Sequence, residues 1–191
     1  GITVNVDEGN YVEEITIDKY LKLYGAGETT VIASGGSFGI MPKASGLSET
    51  ERLEIKDLKI TGSTYGIHIS QDELEHLTFE NLNIDGCNFT ALQIQGTGTL
   101  PGPLDPAIVT DLIIENCKFN NSVNQMGMSV DKYSSVYDLY INNSQFNGNR
   151  RGIYAQRMPD TDHGFTTIDG VIIQNTQINN NRERATYLEK L

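Results

Sequence analysis

Residues 53–60 read LEIKDLKI, and the same spacing of apolar positions returns four more times along the chain. The later copies are 77–84 (LTFENLNI), 112–119 (LIIENCKF), 139–146 (LYINNSQF) and 171–178 (VIIQNTQI). Their first residues lie 24, 35, 27 and 32 positions apart. Self-similarity at such a period is typical of repeat proteins, in which each unit buries its apolar face against its neighbours. The pattern therefore predicts stacked coils with constant strands and loops of variable length.

A polar residue directly precedes the third apolar or small position of every copy. These residues are Asp57, Asn81, Asn116, Asn143 and Asn175. Asn side chains can form hydrogen-bonded stacks between successive strands, and they also favour turns. We expect this column to turn inward and bond the backbones of successive coils, as an Asn ladder.

A further strand of each coil follows a glycine or, in one coil, Ala91. The segments are 66–69 (GIHI), 91–94 (ALQI), 127–130 (GMSV) and 152–155 (GIYA). Aligning them gives one outward column of His68, Gln93, Ser129 and Tyr154, and a second of Ser70, Gln95, Asp131 and Gln156. The position five residues after the glycine holds Lys132 in one coil and Arg157 in the next. These two cations are predicted to lie in adjacent coils, about 5 Å apart.

Charge and composition limit the classes of partner. The 191 residues include 14 basic and 25 acidic side chains, for a net charge of −11, which disfavours nucleic acid or an anionic membrane as a general partner. The sequence has no apolar run of about 18 residues, so no membrane span is predicted. Cys87 and Cys117 occupy different positions in their coils and are not expected to form a disulfide.

We expect residues 1–191 to form a single parallel β-helix domain that is part of a longer native chain. Repeat proteins need polar caps over their open ends, and exposed coil ends can pair with other chains. End-to-end or homo-oligomeric association is therefore an expectation as well.

The opening segment 9–32, GNYVEEITIDKYLKLYGAGETTVI, resembles the first coils of the right-handed parallel β-helix superfamily, which includes pectate lyases and pectin methylesterases. The later repeats resemble the generic coil of these proteins. The resemblance implies an all-β, single-stranded right-handed parallel β-helix, a solenoid of about seven coils. The chain has no Trp and so lacks the Trp-x-x-Asp-His element of pectate lyases. The signature segments of pectin methylesterases and polygalacturonases are also missing, so these three identities are disfavoured.

The paired cations suggest a site for an acidic sugar. Two like charges this close repel unless an anion or an acidic partner lies between them, and Asp131 could be that partner. An Arg side chain can hold a carboxylate through two hydrogen bonds, and a neutral Lys amine can abstract the proton alpha to that carboxylate. β-Elimination by the polysaccharide lyases of this superfamily resembles such an arrangement. Lys132 is then the candidate base and Arg157 the carboxylate or leaving-group partner, with Tyr154 assisting; a solvated surface pair is the alternative.

Loop lengths point to the same place. Long loops at 97–108 and 158–167 flank the short turn 133–135. This predicts a groove over the short turn, with a long loop on each side. The candidate substrate-binding residues are Gln93, Gln95, Asp131, Tyr133, Arg151 and His163. Asp160 and Asp162 could bind calcium, the one cofactor that the sequence suggests, although plain solvated loop chemistry is the alternative.

Two functions of different classes remain open. The first is a carbohydrate-active module, either a lyase or an epimerase, that acts on an acidic polysaccharide. The second is a non-catalytic surface, adhesion or spike domain that binds glycans or spaces other parts. Either function is expected in a secreted protein, outside the cell or on its surface.

Overall fold

The chain is almost entirely β-strand. A computed structural model describes residues 1–70, 72–97, 104–122, 124–155 and 166–189. These residues form one short 3-10 turn (Gly27–Thr29) and nineteen strands. In chain order the strands are β1 (Ile2–Asn5), β2 (Gly9–Tyr11), β3 (Ile15–Ile17), β4 (Leu21–Tyr24), β5 (Thr30–Ile32), β6 (Phe38–Pro42), β7 (Leu53–Lys56), β8 (Lys59–Ile60), β9 (Tyr65–Ser70), β10 (Glu73–Glu80), β11 (Asn83–Asp85), β12 (Thr90–Gln95), β13 (Ala107–Glu115), β14 (Lys118–Asn120), β15 (Met126–Asp131), β16 (Ser134–Asn142), β17 (Arg151–Ala155), β18 (Thr166–Gln174) and β19 (Arg184–Leu188).

The strands form three sheets, and the pairs within each sheet are parallel. Sheet 1 has the order β1-β4-β7-β10-β13-β16-β18, sheet 2 the order β2-β5-β8-β11-β14, and sheet 3 the order β3-β6-β9-β12-β15-β17-β19. As far as β15, each turn of the chain visits the three sheets in rotation and pairs with the turn before it. The last two turns have strands in sheets 1 and 3, and single bridges at Gln145 and Gln177 continue the line of sheet 2. This architecture is consistent with a parallel β-helix-like solenoid. No helix among the described residues is long and apolar enough to cross a membrane.

The register of sheet 1 confirms the repeat that the sequence predicted. Leu53 pairs with Leu77, Leu77 with Leu112, and Leu112 with Leu139. These four leucines are buried in the shared core. In the core beside sheet 2, the rings of Phe119 and Phe146 stack with their centroids 4.8 Å apart. Like residues thus stack on like residues from coil to coil, which is how each unit buries its apolar face.

The alignment on glycine is confirmed too. Ile67 pairs with Leu92, and Leu92 pairs with Met128. A Cβ on Gly66 would lie 2.3 Å from Ile84 Cγ2. Glycine is therefore required here because sheet 3 approaches the side chains of sheet 2 too closely for any larger residue.

The prediction that the Asp57/Asn column turns inward is wrong. Its five residues have left-handed backbones, with φ between 47° and 56°, and their side chains point to the surface. Asn81 Nδ2, for example, donates to Asp57 Oδ1 at 2.8 Å in an exposed position. Asn tolerates the left-handed conformation better than most residues, so the column serves the bend between sheets 1 and 2.

Asparagine side chains do enter the coil at another position, in the bend that leads into sheet 3. Asn149 Oδ1 accepts the backbone N–H of Ser122 at 2.8 Å, and Asn149 Nδ2 donates to the Phe119 carbonyl at 2.9 Å. Asn181 Oδ1 accepts the N–H of Asn149 at 3.0 Å in the next coil. Cys87 occupies the equivalent place two coils before Asn149; it is free, and burial raises its pKa to about 11.

Candidate functional site

The backbone is strained where the chain passes from sheet 3 to sheet 1. We call this region the 3–1 turn and define it as Asp72, 95–97, 104–107 and 131–135. Lys132 and Tyr133 are consecutive left-handed residues, with φ of 39° and 49°. This conformation is uncommon outside glycine and unfavourable for a bulky residue such as Tyr. Strained residues persist only where the surroundings fix them, and they concentrate at functional sites.

Hydrogen bonds from two coils hold this strained pair. Asp131 Oδ1 accepts the N–H of Lys132 at 2.8 Å. The Lys132 carbonyl accepts the N–H of Gly96 at 2.8 Å, and the Tyr133 carbonyl accepts the N–H of Ala107 at 3.1 Å. A Cβ on Gly96 would come within 2.5 Å of the Tyr133 carbonyl oxygen, so the neighbouring coil leaves no room for a side chain there. The conformation is therefore enforced by the fold.

A pocket of about 220 Å³ opens beside this turn. Its lining residues are Leu104, Pro106, Ile108, Tyr133 and Ser135. Leu104 is 40% exposed, whereas Tyr133 is only 5% exposed. Pockets that hold drug-sized ligands usually measure about 300–1,000 Å³, so this one suits a small group.

Several buried oxygen atoms around the turn have no hydrogen-bond partner among the described residues. They include the Tyr133 hydroxyl, Asp72 Oδ2, Ser129 Oγ and, at the start of β18, Thr166 Oγ1. More than nine in ten buried polar groups in proteins are bonded, so each exception needs a reason. Burial raises the pKa of Asp72, the nearby Lys43 lowers it, and the negative charge of Asp105 raises it further. The turn thus carries polar atoms and the carboxyls of Asp72, Asp105 and Asp131 beside the cation of Lys132.

The structure confirms the predicted register of sheet 3 and corrects the expected exposure. Gln95 pairs with Asp131, and both are partly exposed. Gln93 alternates with the inward-facing Leu92 and Ile94, yet it is only 2% exposed. Its amide therefore cannot offer the open sugar-binding surface that the sequence suggested.

The expected exposure of Tyr154 and Tyr133 is corrected in the same way. Tyr154 is 6% exposed because the Arg151 guanidinium lies 4.4 Å from its ring centroid and the Tyr187 ring stacks on it at 5.5 Å. Tyr133 is buried in the wall of the pocket, so its ring is no flat platform for a sugar.

Arg150 and Arg151, at the start of β17, are both paired with a carboxylate. Arg151 Nε lies 2.9 Å from Glu183 Oε2, and Arg150 also pairs with that carboxylate. These pairs lower the pKa of Glu183, with the Arg150 hydrogen bond as the largest cause. Arg151 is therefore committed to a carboxylate and an aromatic ring, which corrects its expected availability to substrate.

Four predicted site residues lie outside the described part of the chain: Arg157, Asp160, Asp162 and His163. The predicted contact between Lys132 and Arg157 therefore stays a prediction. Lys132 itself is partly exposed and belongs to none of the ion pairs among the described residues. Those residues also contain no group of three or more His, Cys, Asp or Glu side chains that could hold a metal ion.

Sequence reasoning missed a second polar cluster, on the outer face of sheet 1. Arg52 is 9% exposed, and its Nε donates to Thr78 Oγ1 at 2.7 Å while Nη1 pairs with Asp111 Oδ2. His76 Nδ1 lies 2.7 Å from the same oxygen of Asp111. Burial alone would raise the pKa of Asp111, but the bonds from Arg52 and His76 lower it. Arg52, His76 and Asp111 each precede the first leucine of a repeat, a shared position that could have revealed the cluster.

The arrangement of this cluster and of the 3–1 turn has to be interpreted from the chain itself. Comparisons of the chain with models of protein families, with curated proteins and with solved structures find no match.

Proposed function

We propose that this protein is a carbohydrate-active module of the right-handed parallel β-helix type, which binds an acidic polysaccharide outside the cell at the 3–1 turn. One observation supports this most directly. Lys132 and Tyr133 keep two consecutive strained backbones beside an open pocket, and bonds from two coils hold them there. Such strain is retained where it aims a side chain.

Lys132 is the proposed base. Its amine would take the proton alpha to the uronate carboxylate, and the electron pair left on that carbon would form a carbon–carbon double bond as the bond to the β oxygen breaks. A proton then goes to the departing oxygen. Return of the proton to the opposite face of the carbon, without bond cleavage, would instead give an epimerase.

The partners of Lys132 follow from the same proposal. Arg157, one coil further on by sequence, would hold the uronate carboxylate. Tyr154 is buried beneath Arg151, so we assign it a positioning role instead of a proton transfer. Asp131 holds the Lys132 backbone through its carboxylate, which also makes it a positioning residue.

The test is incubation of the protein with pectate, alginate, chondroitin and hyaluronan, with and without calcium, followed by absorbance of the unsaturated uronate product. We expect product from at least one polymer and its loss in Lys132→Met, which removes the charge and keeps the aliphatic stem. Lys19→Met is the matched control, because Lys19 is exposed in the first coil, before β4. Product formation that Lys132→Met leaves unchanged would contradict the proposed base.

A second candidate is the non-catalytic glycan-binding domain, and one observation favours it. Arg184 lies 4.5 Å from the centroid of the Tyr187 ring, which repeats the Arg151–Tyr154 pair of the preceding coil. Of the two pairs, the last one is the accessible one, since Arg184 is exposed and Tyr187 is partly exposed, and an aromatic ring beside a cation suits contact with a sugar. Binding of a polymer without any unsaturated product from the same panel would favour this candidate over the lyase.

A further inference from the structure

We infer that the outer face of sheet 1, at β13, β16 and β18, binds a neutral β-1,4-linked polysaccharide whose sugar rings pack on Tyr137 and Tyr140. We call this surface the tyrosine face and define it by Ile113, Tyr137, Asp138, Tyr140, Ile172 and Gln174. It shares no residue with the 3–1 turn, and the inference does not rest on the proposed function.

The outer face of sheet 1 changes in character along the solenoid. At β7 its side chains are paired charges, such as Glu54 with Lys56. In contrast, β13, β16 and β18 contain no lysine or arginine, and their pairing places Ile113, Tyr140 and Ile172 side by side on the outer face. Ile172 is 55% exposed. Parallel sheets usually have cover on both faces, and an exposed apolar patch is typical of a binding surface.

A break in the alternation of β16 brings both tyrosines to this face. Residues three apart on a regular strand point to opposite faces of the sheet. Asp138 has a left-handed backbone, with φ of 54°, and is exposed like Tyr137, whereas Leu139 is buried. Alternation therefore restarts after Asp138, and Tyr140 faces outward together with Tyr137. The Gln174 amide donates to the Tyr140 hydroxyl at 2.5 Å and so helps to hold that ring.

A carboxylate comes between the two tyrosines along β16. A Cβ on Gly170, in the next coil, would come within 2.5 Å of Asp138 Oδ1, so the missing side chain leaves room for this carboxylate. Asp138 is exposed and belongs to none of the ion pairs of the residues that the structure describes. An ionised carboxylate only accepts hydrogen bonds, and a sugar offers hydroxyl donors.

The chemistry of the tyrosine face distinguishes between classes of ligand. All charged residues of β13, β16 and β18 are acidic, which disfavours an acidic polymer or a nucleic acid. A protein partner is disfavoured because carboxylates are depleted from the cores of protein interfaces. A sugar ring combines an apolar face, which packs on an aromatic ring, with hydroxyl groups at its edge. Since the surface is an open sheet face, it suits an extended chain such as a β-1,4-linked glycan.

Calorimetric titration of the full chain with cellohexaose and xylohexaose tests this inference. Maltohexaose is the ligand control, because its α-1,4 linkages give a curved chain. We expect saturable binding of at least one of the first two glycans, at least tenfold tighter than that of maltohexaose. An aromatic contact of about 1.4 kcal/mol corresponds to a tenfold change in affinity, so Tyr137→Ala should bind about tenfold more weakly.

Two further variants separate the carboxylate from the general effect of a surface mutation. Asp138→Asn keeps the size of the side chain and removes its charge, and it should bind roughly threefold more weakly because hydrogen bonds to a charged acceptor are stronger. Phe89→Ala is the matched control for Tyr137→Ala. Both aromatic side chains are 38% exposed, but Phe89 lies outside the tyrosine face, so this variant should keep the affinity of the unaltered protein.

The outcomes distinguish this inference from the proposed function. Absence of binding to cellohexaose and xylohexaose would overturn the tyrosine face as a glycan site and leave the 3–1 turn to its own test with acidic polymers. Binding that Tyr137→Ala leaves unchanged would overturn it as well. Self-association of the unaltered protein that Tyr137→Ala abolishes would overturn it in favour of a contact between two copies of the chain.

Discussion

The outer face of sheet 1 and the 3–1 turn both hold partly buried polar groups, but the 3–1 turn leaves some of them without a partner among the described residues. On sheet 1, Glu54 lies 2.8 Å from both Lys22 and Lys56, and Lys56 lies 2.7 Å from Glu80 of the next coil. At the 3–1 turn, the Tyr133 hydroxyl is buried and has no partner in the part of the chain that the structure describes, next to a strained backbone. Satisfied polar groups stabilise the stack, whereas unsatisfied ones cost stability and mark a place suited to a ligand.

Removal of a paired side chain from the outer face of sheet 1 should give the largest change in the free energy of unfolding. Arg52→Ala should destabilise the protein by about 3 kcal/mol, because it leaves Asp111 without its closest cation and removes bonds to Thr78 and Leu77. Urea denaturation measures this change. Lys19→Ala, at an exposed position, should stay within about 0.5 kcal/mol. A loss below 1 kcal/mol for Arg52→Ala would show that the cluster on sheet 1 contributes little.

Acid should destabilise the protein by a smaller amount, through the ion pairs on the outer face of sheet 1. Burial alone would raise the pKa of Glu54, but hydrogen bonds from Lys22, Lys56 and Tyr24 lower it to about 2, from 4.5. A carboxyl whose folded pKa is lowered stabilises the protein above its unfolded pKa, so this contribution should disappear as the pH falls from about 4.5 to 2.

Since the ion pairs remain partly solvated, we expect that loss to be about 1–2 kcal/mol. Urea midpoints at pH 6 and pH 3 measure it, and Glu54→Gln should show a correspondingly smaller difference between the two. An equal pH dependence in Glu54→Gln would assign the effect to other carboxyls.

Relief of backbone strain at the 3–1 turn should give the smallest change in the free energy of unfolding, and this change should stabilise the protein. Lys132→Gly should stabilise the protein by up to about 1 kcal/mol, because glycine adopts positive φ without steric cost. Asn116→Gly, at φ 55°, is the matched control and should gain less, since Asn already tolerates this conformation. Thermal unfolding compares the two variants. Destabilisation by Lys132→Gly would show that the lysine side chain itself supports the fold.

The repeat could be predicted because it depends on one local rule. The apolar positions of 53–60 recur at fixed offsets, and parallel pairing of like residues places Leu53 beside Leu77. The Asn column was misread because Asn suits both an inward ladder and a left-handed bend. Only the backbone geometry decides between them; it puts Asn81 outside and Asn149 inside.

Less of the candidate site could be predicted. Columns aligned on glycine place Gln95 beside Asp131 correctly, since register follows from the strands alone. Burial does not follow from register, so Gln93 and Tyr154 were expected on an open surface. The contact of Arg52 with Asp111 joins residues 59 positions apart, a separation that a search within one coil does not cover.

The bridge at the base of the 97–105 excursion has a consequence for engineering. The N–H of Thr97 donates to the Asp105 carbonyl at 2.8 Å, and the N–H of Asp105 returns to Thr97 at 2.9 Å. These two bonds close the excursion before the coil resumes at β13. A foreign peptide grafted between them would leave the stacking register untouched, at an entropic cost of about 0.6 kcal/mol for each doubling of its length. The protein is therefore a natural scaffold for displaying inserted sequences.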